Sequence, residues 1–132
     1  MVPRPVALGL TLCDYVIVEE KTKKVSLIGT FTGIRVSDFP SAPQPFSAYA
    51  MLTDGLGDAS ITLTVSRMDT AEEIYRREMT SRFSDKLAEL RVHFRVLNCQ
   101  FPSAGWYQFS LLVDGEWVAQ RLVRVTLVED FQ

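Results

Sequence analysis

The segment Ser60–Ser66, which reads SITLTVS, alternates apolar and hydroxyl side chains with a period of two. Ile61, Leu63 and Val65 are its apolar members, and every residue between them is serine or threonine. Because successive side chains of a strand point to opposite faces, one face of this strand is predicted to lie on a hydrophobic core and the other in water. The β-branched residues in the segment also favour the extended backbone.

The same alternation recurs toward the end of the chain. Leu90–Val96 and Tyr107–Val113 each carry an apolar residue at every second position. Turn-forming residues separate the runs, and Asp114-Gly115 is the clearest case because both residues accept the positive φ angles of a tight hairpin. This spacing predicts an all-β fold, an antiparallel, immunoglobulin-like β-sandwich of about eight or nine strands. We expect residues 1–132 to form it as a single domain.

Four local features refine this prediction. Val25–Val36 contains no proline and is predicted to be one long strand. The hairpin that joins Tyr15–Glu20 to this strand is apolar on both faces, so we expect it to lie in the interior of a sheet. Three prolines in Ser37–Pro45 predict an extended crossover between the sheets. The only helical candidate is Ser84–Glu89, with Ser84 as the N-cap.

Composition limits the class of protein. Of 132 residues, 47% are hydrophobic and 23% are charged, which is ordinary globular usage, and the net charge of -2 argues against a nucleic-acid partner. The apolar run Val6–Cys13 is too short to cross a membrane and is interpreted as the first strand rather than an export signal. The sequence therefore predicts a cytoplasmic protein with no membrane or nucleic-acid partner.

Two motifs resemble the pattern of a family of small bacterial proteins. The first combines Cys13–Val16 (CDYV) and Glu19-Glu20 with Lys24–Phe31 (KVSLIGTF) and, after them, Phe39-Pro40. The second combines Gly105–Phe109 (GWYQF) with Val113–Glu116 (VDGE). The resemblance covers most of the chain. It implies a bacterial β-sandwich protein from an uncharacterised family with no assigned activity, and it carries over no catalytic or binding residue.

The two cysteines, Cys13 and Cys99, are far apart and show no CxxC spacing. Zinc ribbons and thioredoxin-like redox motifs are thereby excluded. We expect both to be free, buried thiols that pack as small hydrophobic residues. A single long-range disulfide in an oxidising compartment is the alternative.

Candidates for catalysis and metal binding are few. His93 is the only histidine and lies on the polar face of its strand between Arg91 and Arg95, which discourage its protonation. We expect no enzyme and no cofactor; an unrecognised active site around His93, with Glu78 as a partner, is the alternative. A second alternative is calcium held by the aspartates of predicted loops. Those aspartates are Asp54, Asp58, Asp69, Asp85 and Asp114.

A partner surface is the remaining hypothesis. Its candidates are Arg91, His93 and Arg95 on one strand, and Trp106 and Trp117, which flank the Asp114-Gly115 hairpin. Tryptophans at the rim of a sandwich can anchor a protein or stack on a sugar. We predict a non-catalytic interaction or accessory module that acts through a sheet face or edge, toward a protein partner or in a homodimer. A sandwich that binds carbohydrate or calcium at its loop rim is the alternative.

Arginine is concentrated in one part of the chain. If Ile74–Phe83 pairs with Leu90–Val96, several of these arginines share one sheet face. They would then form cross-strand ion pairs or present a surface to an anionic partner. The arginines are Arg67, Arg76, Arg77, Arg82, Arg91 and Arg95.

Overall fold

Nine strands in two sheets make up the computed structural model, which describes residues 5–85 and 87–128. The strands are β1 (Val6–Val18), β2 (Val25–Thr30), β3 (Gly33–Val36), β4 (Gln44–Thr53), β5 (Gly57–Arg67), β6 (Glu73–Phe83), β7 (Leu90–Cys99), β8 (Gly105–Val113) and β9 (Glu116–Leu127). The front sheet has the order β2-β1-β4-β7 and the back sheet the order β3-β9-β8-β5-β6. The predicted β-sandwich is confirmed.

The core lies between the sheets and uses the positions that alternation predicts. Ile61, Leu63 and Val65 are completely buried, and the apolar faces of β7 and β8 lie opposite and beside them. Phe46 of the front sheet links the layers, because its ring centroid lies 5.6 Å from that of Phe109 in the back sheet. The hydroxyl residues of β5 lie on the outer face, as their period of two requires.

The predicted tight turn between β8 and β9 is also present. Asp114 and Gly115 have φ angles of 51° and 83°. The carboxylate of Asp114 accepts a hydrogen bond from the backbone N–H of Ser60 at 2.9 Å, which ties the turn to the start of β5. The turn therefore fixes the register of three adjacent strands of the back sheet.

The predicted long strand 25–36 is wrong, because the chain changes sheets within it. Gly29 has a φ of 70°, which interrupts the extended backbone, and Phe31 packs its ring edge-on against Phe46 at 6.1 Å. Packing of this partly buried ring against the core accompanies the passage of the chain from β2 in the front sheet to β3 in the back sheet. The pair β3–β9 is parallel, so the sheets are antiparallel except at this pair.

The first hairpin was predicted to lie inside a sheet, and this is also wrong. Strand β2 is the outermost strand of the front sheet. Tyr15, Ile17 and Ile28, which share one face of the hairpin, are 59%, 52% and 47% exposed. A strand that is apolar on both faces is buried on both sides only when a second layer of structure covers each face. No strand among the described residues forms such a layer over the face that carries Tyr15, Ile17 and Ile28.

The two connections singled out from the sequence have different outcomes. Residues 37–43 join β3 to β4 and so cross between the sheets as predicted. The predicted crossover was two residues too long, because Gln44 and Pro45 already belong to the central strand β4. The described residues of Ser84–Glu89 contain no helix, and Lys86 lies outside the described residues. Asp85, rather than Ser84, accepts the N–H groups of Leu87 and Ala88, each at 2.8 Å. Asp85 thus acts as the side-chain acceptor typical of an aspartate at a turn.

Gly55, between β4 and β5, gives a direct test of packing at this end of the sandwich. A Cβ atom at Gly55 would lie 2.6 Å from two ring carbons of Phe83, which is 2% exposed and cannot move aside. We expect Gly55→Ala to lower the free energy of unfolding by about 1–3 kcal/mol. Urea denaturation measures the change. Leu56→Ala, at the exposed neighbouring residue, is the control, and its expected change in the free energy of unfolding is within about 0.5 kcal/mol. Equal stability of the two variants would contradict close packing of Phe83 against Gly55.

Candidate functional site

The hairpin of β1 and β2 leaves the front sheet part of the way along β1. Pairing of β1 with β4 ends at Cys13, which lies opposite Ser47, whereas pairing of β1 with β2 continues to Val18. Residues 14–30 therefore form an arm that β4 does not support. We call this segment the hairpin arm.

The hairpin arm bends back over the outer face of the front sheet. If β1 continued straight beyond Cys13, it would run alongside β4 toward Gln44, which lies opposite Cys99 of β7. Arg91 lies in the other direction along β7, opposite Met51. The guanidinium of Arg91 nevertheless donates a hydrogen bond at 2.5 Å to the carbonyl oxygen of Lys23, at the tip of the arm. The tip must therefore lie above β7.

Arg95 holds the base of the arm. Its Nη1 atom donates to the carbonyl oxygen of Asp14 at 2.5 Å, and its guanidinium carbon lies 4.9 Å from the centroid of the Tyr15 ring. The same Nη1 donates to the hydroxyl of Ser47 at 3.1 Å. Charge-assisted hydrogen bonds and a cation–π contact thus join one side chain of β7 to both the arm and β4.

The arm covers two polar side chains of the outer sheet face. Cys13 is 0% exposed and Ser47 1% exposed, although neither belongs to the face that lines the core. Burial, followed by the adjacent Asp14 carboxylate, raises the pKa of the Cys13 thiol, and Arg95 opposes this shift. Burial also raises the pKa of Cys99 to about 12. Both thiols are free and buried, which confirms the prediction.

His93 contacts a potential nucleophile under the base of the arm. Its Nε2 atom lies 3.1 Å from the hydroxyl oxygen of Ser47. Partial burial, and then the charge of Arg95, lowers the pKa of His93, so the ring is neutral at pH 7. A serine–histidine pair of this kind could serve acyl transfer only with an accessible hydroxyl and an oriented imidazole.

Neither condition holds among the residues that the structure describes. Ser47 is 1% exposed and already accepts a hydrogen bond from Arg95. No carboxylate of the described residues lies within hydrogen-bond distance of His93. Glu78, the partner suggested from the sequence, accepts a hydrogen bond from Ser60 on the back sheet instead. The pair fastens β4 to β7.

The five residues predicted as a partner surface are divided between the two sheets. Arg91, His93 and Arg95 lie on the outer face of the front sheet, beneath or beside the hairpin arm. Trp106 and Trp117 lie on the outer face of the back sheet and are 51% and 65% exposed. The tryptophans are separated by about 20 Å, because Trp117 pairs with Leu112, six residues along β8 from Trp106. They do not form one platform.

The predicted arginine face does not form, because β6 pairs with β5 and not with β7. The free edges of β6 and β7 meet at the side of the sandwich, where Arg77 donates to the carbonyl oxygen of Arg95 at 2.8 Å. Ion pairs account for three other arginines. They are Arg67–Asp69 at 3.2 Å, Arg76–Glu73 at 3.1 Å and Arg82–Asp58 at 3.1 Å.

The loop aspartates are dispersed over the molecule. Asp58 and Asp69 pair with arginines. Asp85 accepts backbone hydrogen bonds in its own turn, and Asp114 accepts one from Ser60 of β5. Asp54 has a φ of 64°, typical of a turn residue. In residues 5–85 and 87–128, no three acidic, histidine or cysteine side chains are grouped as a metal ion would require.

Sequence reasoning missed the outer surface of the hairpin arm. Tyr15 and Ile17 of β1 and Ile28 of β2 form a continuous exposed row, because Tyr15 lies opposite Ile28 in the ladder. The signal was present, since the hairpin is apolar on both faces, but it was interpreted as burial. An exposed row of large apolar residues on an edge hairpin is typical of a contact surface.

Comparison with known proteins gives a family but no activity. The described part of the chain has no helix of the length and hydropathy needed to cross a bilayer. A search of curated proteins found no match. One family model, described as a family of unknown function, matches residues 8–126, which include all of the motifs quoted above. The chain belongs to this family of unknown function, DUF6941.

Proposed function

We propose that this protein is a non-catalytic interaction module that forms homodimers by pairing β2 with β2 of a second copy. One observation carries the proposal. Strand β2 ends the front sheet with an uncharged backbone edge, next to the exposed apolar row of Tyr15, Ile17 and Ile28. An edge of this kind presents unpaired N–H and C=O groups, which pair readily with another strand.

The other three outermost strands, β7, β3 and β6, are protected. Arg77 of β6 bonds to the backbone of β7, so these two edges cover each other. Strand β6 also carries charged residues along its length, and β3 has only four residues. Charges and short length are the usual means by which proteins prevent edge pairing. Strand β2, with the sequence VSLIGT, has neither a charge nor a proline.

The pattern of β2 suits a second copy of the same strand. A two-fold axis normal to the sheet places one residue opposite its own copy, and near the middle of β2 that residue is Leu27 or Ile28. Both are apolar, so the self-contact is favourable. Lys23 and Lys24 would then lie beside residues 30–33 of the partner, which read TFTG and carry no charge. Self-pairing therefore opposes no like charges.

Arg95 prepares the contact surface. It fixes Tyr15 through the cation–π contact and fixes the adjacent backbone through Asp14. Binding to a surface that is already ordered loses less conformational entropy than binding to a mobile hairpin. The pairing would join the two arms into a four-stranded sheet with the apolar rows of both copies on one face.

A non-catalytic role and a cytoplasmic location complete the proposal. The buried Ser47–His93 pair supports the absence of catalysis. The two free, buried thiols are compatible with the reducing cytoplasm of a bacterial cell. The net charge of -2 gives no general attraction to nucleic acid or to anionic lipid, so a protein surface is the partner class that remains.

The solution mass of the protein tests this proposal. At micromolar concentration, sedimentation equilibrium is expected to give twice the chain mass of 14.9 kDa. Ile28→Lys places a charge in the middle of the apolar row and is expected to give the mass of one chain. Its matched control is Leu122→Lys, which places the same charge on the outer face of the back sheet at a residue of similar exposure, 50%.

The control is expected to remain a dimer. A monomeric wild-type protein, or a dimer that persists in Ile28→Lys and dissociates in Leu122→Lys, would contradict pairing through β2. Denaturant unfolding of both variants verifies that the lysine has not unfolded the chain.

A further inference from the structure

The outer face of the back sheet contains a groove that the dimer does not use. Its volume is about 400 Å³, which is within the range of small-molecule sites, about 300–1,000 Å³. Short residues of the central strands β5 and β8 form its floor, among them Thr64 and Ser110, which pair across the ladder. Longer side chains of the flanking strands, Trp117 on β9 and Arg76 on β6, form its walls.

The groove combines an aromatic wall with groups that form hydrogen bonds. Trp117 is 65% exposed, so most of its indole is available for contact. The hydroxyl groups of Thr64 and Ser110 lie at the bottom of the groove, where these residues are 7% and 4% exposed. Gln108 is held beside them by its amide, which donates to the Ser110 hydroxyl at 3.2 Å. On the far wall, the Nε and Nη2 atoms of Arg76 bind Glu73 at 3.1–3.2 Å, which fixes the guanidinium plane.

Charge in the groove is balanced. Arg76 pairs with Glu73, and Arg67 pairs with both Asp69 and Glu72. An anionic ligand would have to displace these carboxylates, so phosphate and sulfate groups are disfavoured. Strands β5 and β8 are both paired on both sides, so the floor offers no free edge to a peptide strand. The ligand that suits this lining is uncharged and rich in hydroxyl groups.

We propose that this groove binds a neutral saccharide, with a sugar ring stacked on Trp117 and its hydroxyl groups hydrogen-bonded to Arg76 and to the polar floor. Aromatic side chains contribute by covering the apolar face of the ring, while planar polar groups select the orientation of its hydroxyls. The site is independent of the proposed dimer, because it lies on the opposite sheet from β2. It can therefore be tested on the Ile28→Lys variant as well as on the wild-type protein.

The experiment is a titration with four oligosaccharides, which are cellohexaose, maltohexaose, laminarihexaose and chitohexaose, at up to millimolar concentration. Amide chemical shifts in ¹⁵N-labelled protein report the site of binding. We expect saturable shifts at Thr64, Ser110 and Trp117 with at least one of them. Trp117→Ala is expected to weaken that binding about tenfold or more, and Arg76→Met is expected to weaken it as well.

Trp106→Ala is the matched control, because Trp106 is exposed on the same sheet face but lies outside the groove. It is expected to bind as the wild-type protein does. Absence of saturable shifts with all four oligosaccharides would overturn the proposal, and so would equal loss of binding in Trp106→Ala and Trp117→Ala. The amide spectrum of each variant verifies its fold, and Arg76→Met keeps the test decisive if Trp117→Ala does not fold.

Discussion

Replacing Arg95 with alanine is expected to increase the rate of Cys13 alkylation by about tenfold to a hundredfold. The variant loses hydrogen bonds from a charged donor to the Asp14 carbonyl and the Ser47 hydroxyl, and such bonds contribute about 1.5–3 kcal/mol each. The hairpin arm then opens more often and exposes the thiol. Reaction with iodoacetamide at constant pH, followed by mass spectrometry of the intact protein, measures the rate.

The electrostatic effect of the substitution has the opposite sign, which makes the result decisive. Arg95 lowers the pKa of Cys13, so its removal alone would raise that pKa and leave less reactive thiolate. Faster alkylation therefore reports opening of the arm. Cys99, whose pKa is about 12, is an internal control that should stay unreactive, and Arg82→Ala is the control for loss of an exposed arginine. An unchanged or slower reaction in Arg95→Ala would show that Arg95 does not hold the arm closed.

Truncation of Phe46 to alanine is expected to lower the free energy of unfolding by about 3–5 kcal/mol. Phe46 is 1% exposed and contacts aromatic rings on two other elements, Phe31 at the sheet crossing and Phe109 in the back sheet. Its loss would leave a cavity between the sheets and would remove the support of the crossing from β2 to β3. Guanidinium denaturation followed by tryptophan fluorescence measures the change.

Phe46→Leu is the matched control, since it keeps most of the buried volume. We expect it to retain more than half of the stability that Phe46→Ala loses. A loss below about 1 kcal/mol in Phe46→Ala, which is the range of a typical surface substitution, would contradict the central position of this ring.

The sequence predicted the elements whose pattern is local. The alternation in Ser60–Ser66 identified β5 and its buried face, and Asp114-Gly115 identified the turn between β8 and β9. In both cases a property of neighbouring residues determines the structure. The crossover after β3 was predicted for the same reason, because proline restricts the backbone wherever it occurs.

Features that depend on distant residues were not predictable. The division of residues 25–36 into two strands follows from the packing of Phe31 on Phe46, fifteen positions away. The position of the hairpin arm follows from Arg91 and Arg95, which are separated from their backbone partners by 68 and 81 residues. Arg91, His93 and Arg95 were identified as candidates, but their partner in the structure is the arm of the same chain.

The central claim is that β2 pairs with its own copy, and an isotope-filtered NOE experiment tests it most directly. Protein labelled with ¹³C is mixed with an equal amount of unlabelled protein, and only contacts between different copies are detected. We predict contacts from the methyl groups of Leu27 and Ile28 to β2 of the other copy. The claim would be contradicted if these contacts were absent at a concentration where the solution mass is that of a dimer. It would also be contradicted if the contacts between copies involved Trp106 and Leu122 instead.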